Sequence, residues 1–405
     1  MRGGERVLES LSTLFPAADL FTLRYDGSRI SSQLARHSVT TSFVDRLAGH
    51  RFMRGRFRAL LPLFPLAAES FCLDGYDLVI SSSHCVAAGV LAPPGALHVA
   101  YLHSPMRYAW EAQATYEAAV GGGWLGRWAF RATTHYLRLW DAAASARPDV
   151  LIANSSYTRD RIRRYYGRDA EVIEPPVDTE RFAAPRSAKV GLPSPGCLSP
   201  PEDDEDHRAP FLLVSALVPY KRVELAVGAM AGRPEHLVVI GEGPERARLE
   251  RMAGPNVSFL GRVDDEVLLG QYRRCRALLH PAVDDFGMVM VEALAAGKPV
   301  IASLEGGAAE IVRAGETGVF FDAPTPEAVG AALDRFRLLR MRFDPSRLRE
   351  AARRFDRAAF ERRFSRVVER AARDRQSGQS HGQGQGHGQG SPHQSSTSHA
   401  GVGLA

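Results

Sequence analysis

At 405 residues the chain is too long for one ordinary core and long enough for two domains with additional segments. Its 45% hydrophobic and 24% charged content is that of a globular protein, and no run approaches the roughly 20 apolar residues of a membrane-spanning helix. A formal charge of +5 is too modest to point to nucleic acid, and Cys72, Cys85, Cys197 and Cys275 form no C-x-x-C pair of a zinc site or disulfide framework.

In chain order, MRGGERVLES has no apolar secretory core, and with the scattered cysteines it suits a cytoplasmic protein. A helix then starts near Glu5, with Val7, Leu8, Leu11, Leu14 and Phe15 on one apolar face. Such a face buries against a sheet, and the strand before the first helix of a doubly wound sheet is central. Residues 1–4 are too few to form it, so the expectation is a natural start upstream of Met1 and a first domain without its first strand. Next, Arg51, Arg54, Arg56 and Arg58 interleave with Phe52, Met53, Phe57, Leu60 and Leu61, and no acidic residue falls between Arg46 and Ala68. This stretch reads either as a dock for anionic lipid, at the inner face of a plasma membrane, or as a cationic helix lying over its own core.

Short apolar runs at 77–81, 98–103 and 149–153 predict buried parallel strands. After Phe182 the prolines and the acidic run EDDED mark 183–209 as a linker or surface insertion. Runs at 211–217, 237–241, 257–261, 277–280, 299–302 and 318–321 then alternate with helix-sized intervals. That is the pattern of a doubly wound parallel sheet, whose ligands sit at the C-terminal strand ends. Residues 346–374 predict a charged helix or helix pair marked by Phe355, Phe360 and Phe364. Residues 375–405, rich in Gly, Gln, Ser and His, read as disordered. His381, His387, His393 and His399 recur there every six residues, which fits low-complexity drift better than weak metal binding.

Four further stretches bear on chemistry. In DDFGMVMVEALAAGKPVIA, Phe286-Gly287 opens a helix whose free N–H groups suit a phosphate, and Gly287 admits close approach to the backbone. Glu292, about a turn and a half in, is placed to accept from ribose hydroxyls, and Asp284 lies in the loop ahead; an ordinary helix with an acidic N-cap is the plainer reading. In LVSALVPYKRVELAV, Lys221 stands at a strand mouth, where an ammonium neutralises a diphosphate as charge grows. Only Lys189, Lys221 and Lys298 of the 51 basic residues are lysine, which argues against a chance surface residue. VVIGEGPERARLE has Arg246 where a dinucleotide fingerprint needs its third glycine, and reads as a tight turn beside a nucleotide base. Finally, HVAYLHSPMRYAWEAQ ends a strand at His103 and sets Arg107, Tyr108, Trp110 and Glu111 behind it. That set suits a polyol ring, unless the histidine and tryptophan are simply packed in the core.

In this order, H-S-P-M-R-Y, V-P-Y-K-R and D-D-F-G-x-x-x-x-E resemble the motifs of the retaining family 4 glycosyltransferases, nearest the mannosyltransferases of bacterial surface-polysaccharide synthesis. The resemblance, over residues 1 to about 370, implies an α/β protein of GT-B architecture: two Rossmann-like doubly wound domains with an interdomain cleft. The acceptor-side domain would be 1–182, the nucleotide-sugar domain 210–345, and 346–374 a last helix crossing back. It further implies Glu292 on the donor ribose, Asp284 on the donor sugar, and Phe286, Gly287 and Met288 meeting diphosphate and sugar through their backbone. Lys221, helped by Arg222, would neutralise the leaving group, and His103 would face the reacting sugar. Gly3 and Gly4 would form a glycine-rich loop under the donor, Arg262 would lie near the base, and Arg107, Tyr108 and Trp110 would fall on the acceptor side.

Three departures stand out. Asp284 replaces the longer Glu of many relatives, Ser215 is followed by Ala216 with no Arg ahead of Lys221, and Met1 falls inside the glycine-rich loop. The expected reaction moves mannose from GDP-mannose to a polyprenyl-linked saccharide, with the departing phosphate taking the acceptor's proton. It needs neither cofactor nor metal, and no nucleic acid is an expected partner. A sugar-nucleotide epimerase of the same fold, or a non-catalytic GT-B binding protein, are the rival expectations.

Overall fold

The structure is a computed structural model describing residues 3–28, 30–49, 57–111, 113–118, 123–183, 209–382 and 400–404. Residues 51–56 of the cationic stretch, 184–208 with the EDDED run and Cys197, and His387, His393 and His399 lie outside the described residues. The chain divides into two units, Met1–Pro176 with Ala358–Ala405, and Val177–Arg357.

The first unit holds β1 (Asp19–Thr22), β2 (Val39–Thr41), β3 (Leu78–Ser83), β4 (Leu97–Leu102), β5 (Val150–Ala153) and β6 (Glu171–Val172). The second holds β7 (Phe211–Val214), β8 (Leu237–Ile240), β9 (Val257–Gly261), β10 (Ala277–His280), β11 (Val300–Ser303) and β12 (Gly318–Phe321). A final strand, β13 (Ala400–Leu404), returns to the first. The sheet orders are β2-β1-β13-β3-β4-β5-β6 and β12-β11-β10-β7-β8-β9, and every pairing is parallel. Strands such as LHVAYL and ALLH are buried along their whole length, because helices cover both faces of a parallel sheet. The helix Gly3–Leu14 buries Val7, Leu8 and Leu11 in one core with Ile80, Val99 and Ile152, as its periodicity predicts.

Four expectations are corrected. The boundary falls at 176, not 182: the Val177 amide donates to the Phe355 carbonyl at 2.9 Å, and Phe182 packs edge-on to Tyr272, so both belong to the second unit. Over 346–374 the structure has the helix pair, Pro345–Arg353 and Arg357–Gly382, but the three phenylalanines do not mark one face: Phe355 between the helices enters the second core, whereas Phe360 and Phe364 enter the first. The tail beyond 375 is not wholly disordered, since the helix continues to Gly382 and β13 forms. Lastly, the central place assigned to a strand ahead of the first helix is filled by β13, with Leu78 opposite Ala400 and Asp19 opposite Gly401. The edges of β1 and β3 offer unpaired N–H and C=O groups, and the uncharged AGVGL can satisfy them. Ending the chain at Gly382 should therefore lower the unfolding temperature by at least about 2–4 °C. An unchanged melting curve would show that β13 contributes nothing.

Of the cationic stretch, the turn Phe57–Leu63 and the helix Phe64–Glu69 are described. Leu60 and Phe64 are buried and Phe57 and Leu61 pack against the same core. These apolar side chains serve the unit's own interior and not a membrane.

Candidate functional site

In the second unit the chain leaves β7 at Val214, makes the turn Pro219–Lys221, and enters the helix Val223–Ala229 through Arg222. Arg222 has φ 52°, the one positive φ outside glycine among the described residues, a conformation that costs about 1–3 kcal/mol and collects at functional positions. Its guanidinium lies 3.5 Å from Glu305. Lys221 Nζ donates to both carboxylate oxygens of Asp284, at 2.6 and 2.8 Å, and His280 Nε2 lies 3.4 Å from the same carboxylate. Burial alone would raise the Asp284 pKa. The Lys221 charge and its two hydrogen bonds, with His280 close by, outweigh it and hold the carboxyl well below the usual carboxylate range.

The loop carrying Asp284 is fixed by what lies around it. Gly287 caps the helix Met288–Ala295 at φ 93°, and a Cβ there would stand 2.4 Å from Met290 Cε. The Gly307 amide donates to the Asp284 carbonyl at 2.8 Å, and a Cβ on Gly306 would come within 2.5 Å of that oxygen. Phe286 buries its ring against Phe355, so its backbone is what remains on the loop side, and Met288 packs partly against the core. Glu292 is 5% exposed and accepts from the Tyr272 hydroxyl at 2.8 Å. In the loop after β8, the Leu217 amide donates to the Glu242 carbonyl at 2.9 Å, which ties VVIGEG to the Lys221 loop as the predicted tight turn. Arg262, exposed beyond β9, has its amide 3.3 Å from Glu242 Oε1.

In the first unit, His103 follows β4, its Nε2 2.8 Å from Ser82 Oγ and its ring edge-on to Tyr101. Gly4 sits over the imidazole: a Cβ on it would lie 3.5 Å from His103 Nε2. Gly3 and Gly4 belong to the first helical turn, not to a loop, a correction of the expected glycine-rich loop. Burial draws the His103 pKa from 6.5 down to about 3, with repulsion from His84 adding to it, so the ring is neutral at working pH. Arg107, Tyr108 and Trp110 lie on the helix Arg107–Trp110. The Tyr108 hydroxyl meets Cys85 Sγ at 2.8 Å; the Trp110 indole donates to Asp141 at 2.8 Å and stacks on Tyr165 at 4.7 Å. Glu111 accepts from Arg161 and Tyr165. The packed alternative therefore describes Trp110, with Tyr108 against the same core, while Glu111 is exposed and held by its ion pair.

Two clusters result, Lys221–Asp284–His280 in the second unit and Gly4–His103 in the first, with Glu292 held separately by Tyr272 in the second unit. Sequence reasoning missed His280, Tyr272, Glu305, Gly306 and Gly307. A glycine pair in the loop after a strand was the available signal for the last two; for Tyr272 there was none.

Burial also pulls the His98 pKa from 6.5 to about 4, its Nε2 bonded to Ser81 Oγ at 2.9 Å. A base whose folded pKa is depressed takes up its proton more readily in the unfolded chain, so its stability contribution is lost as pH falls from about 6.5 toward 4. Asp141, raised to about 6 by burial against hydrogen bonds from Trp110 and Tyr166, works in the opposite direction over that window. In His98→Gln the acid loss of unfolding free energy should shrink by up to about 1.4 kcal/mol per pH unit relative to the parent. Denaturant titrations at several pH values would read the two slopes, and equal slopes would contradict the assignment.

Residues 201–355 match the family model of glycosyl transferases group 1, and residues 1–181 that of glycosyltransferase family 4. A GDP-mannose-dependent alpha-(1-6)-phosphatidylinositol monomannoside mannosyltransferase of Mycobacterium tuberculosis is 31% identical over 205 residues, 46% of this chain and 51% of that protein. The chain thus spans about half the length of the curated relatives that it matches. HepE of Anabaena, solved with UDP-glucose, superposes with a TM-score of 0.63 over 91% of this chain and 96% of its own, at 18% identity. Sucrose-phosphate synthase from Thermosynechococcus elongatus gives 0.66 over 90% and 91%, at 20% identity. Among the described residues, no helix is long and apolar enough to cross a membrane. With a family model on each unit and neighbours of the same fold along its length, the chain belongs to the family 4 glycosyltransferases, a retaining family of GT-B fold.

Proposed function

We propose that the protein transfers a hexose, mannose from GDP-mannose, with retention onto a lipid-linked or polysaccharide acceptor in cell-surface glycan synthesis, working from the cytoplasmic side of the membrane. The observation that carries this reading is the Lys221–Asp284 pair at the strand mouth, beside the start of the Met288–Ala295 helix. A cation and free helix N–H groups together suit the diphosphate of a nucleotide sugar, whose negative charge grows as the sugar departs. Asp284, held ionised, accepts from hydroxyls of the donor sugar. Glu292, oriented by Tyr272, accepts from the ribose, Arg222 supports the diphosphate and Arg262 the base. Neutral His103 is suited to hydrogen-bond a sugar hydroxyl and not to act as an acid.

The bond from the anomeric carbon to phosphate breaks on the face where the acceptor bond forms. The acceptor's proton passes to the departing phosphate oxygen, so catalysis consists of positioning and charge stabilisation. The mannosyltransferase relative supports GDP-mannose, and the UDP-glucose complex of a structural neighbour makes the base the point to test.

A thermal-shift panel of GDP-, UDP- and ADP-sugars tests the donor, because a ligand of the folded state raises the melting point. GDP-mannose should give the largest shift, and Glu292→Ala should weaken it about tenfold or more, since a buried hydrogen-bonded carboxylate is lost. A larger shift with a UDP-sugar would overturn the choice of donor. An equal shift in Glu292→Ala would overturn its ribose role.

A further inference from the structure

The Gly123–Ala144 helix carries a surface that its own unit does not use. Its inner side buries Thr134, Leu137, Asp141 and Ala144. Its outer side exposes Trp124 by 71%, Leu125 by 59%, Trp128 by 66%, Tyr136 by 44% and Leu139 by 61%. At about 100° per residue these five fall within an arc of roughly 120°. Arg127, Arg131 and Arg138 line up along one border of that arc, within roughly 40° of one another, between the apolar face and the buried one. No acidic residue occurs from Ala118 to Trp140. Glu117, 2.9 Å from Arg131, offsets one of the charges, and Arg138 also donates to the Ala109 carbonyl and Gln113.

The geometry points to this helix as a docking surface for an anionic lipid bilayer, lying in the headgroup plane with its two tryptophans inserted. Exposed tryptophans unpaired with any core are costly in water and favoured at the headgroup boundary, where ring and N–H are both accommodated. The arginine border supplies the complementary charge, at about 1 kcal/mol per residue near an anionic surface. A second copy of the chain suits the face less well, because self-pairing brings arginine borders together with no carboxylate on the face to offset them. The turn Phe57–Leu63, the inward-packed end of the cationic stretch, lies against this same helix.

The test is flotation of the full chain with phosphatidylcholine vesicles, with and without phosphatidylglycerol, alongside tryptophan emission. Binding should occur only with the anionic vesicles, fall with added salt and shift the emission to shorter wavelength. Trp124→Ser with Trp128→Ser should reduce binding about tenfold or more without changing the melting temperature, because both side chains are exposed. Arg127→Glu should weaken binding to anionic vesicles independently. Equal recovery with neutral vesicles, full binding by the tryptophan variant, or a dimer in sedimentation that this variant dissolves would overturn the proposal. Flotation uses neither donor nor acceptor, so its failure leaves the transferase reading untouched, and the converse holds.

Discussion

Lys221→Ala should lower turnover by about 10²-fold or more while donor affinity changes by only a few fold. The reason is the position of the ammonium, bridging both oxygens of Asp284 at 2.6 and 2.8 Å at the mouth of β7. In the resting protein that charge is neutralised by Asp284; on the proposed mechanism it serves a departing diphosphate in the transition state, whose charge is larger there than in the bound donor. The variant therefore loses an interaction that strengthens during reaction, which shows in turnover more than in binding. It also leaves Asp284 with burial as the dominant influence, so its pKa should rise and residual activity should gain a dependence on pH at the acid side. Lys221→Arg should not restore full turnover, because a planar guanidinium cannot place its charge where a compact ammonium sits. Single-turnover rates with saturating donor are the measurement. Parent-like turnover in Lys221→Ala would remove its assigned role.

The second large effect is expected from a residue with no side chain of its own, packed against the loop that carries Asp284. Gly306→Ala puts a Cβ 2.5 Å from the Asp284 carbonyl and 3.1 Å from Val283 Cγ1, at φ 78°. Neither the backbone oxygen nor the strained φ can yield locally, so the loop bearing Asp284 must move. A displacement near 1 Å in a reacting constellation costs on the order of 10²-fold, so turnover should fall at least about tenfold, with about 1–3 kcal/mol of stability lost. Gly315→Ala supplies the control. Gly315 has φ 77° with nothing within 4 Å of its would-be Cβ, so it should show the backbone strain without the loss of turnover per folded molecule. Equal turnover losses at the two positions would contradict the argument.

The second sheet was legible because each of its strands is an apolar run bounded by turn residues; β9, β10 and β12 fall where the pattern places them. The strands that escaped are short or polar: β1 is four residues, β2 three, β6 only two, and β13 five in a Gly/Gln/Ser/His tail. Within the site, Lys221, Asp284 and Glu292 could be found singly, from lysine scarcity and from an acidic loop before a helix. Their arrangement could not. Lys221 and Asp284 are 63 positions apart, and only the pairing of β7 with β10 brings their loops together. The same limit left Trp110 ambiguous. Its role in the core is decided by Asp141, 31 positions away on another helix. The exposed face of the Gly123–Ala144 helix was hidden for a related reason, since periodicity alone does not say which of two apolar arcs is covered.

The most direct measurement of the central claim is transfer of label from GDP-mannose to a lipid extract, with the anomeric configuration of the product read by NMR. Labelled mannose should appear on lipid in the donor's own α configuration, and Lys221→Ala should abolish nearly all of it. Release of nucleotide without any mannosyl-lipid, or a product of inverted configuration, would contradict the account.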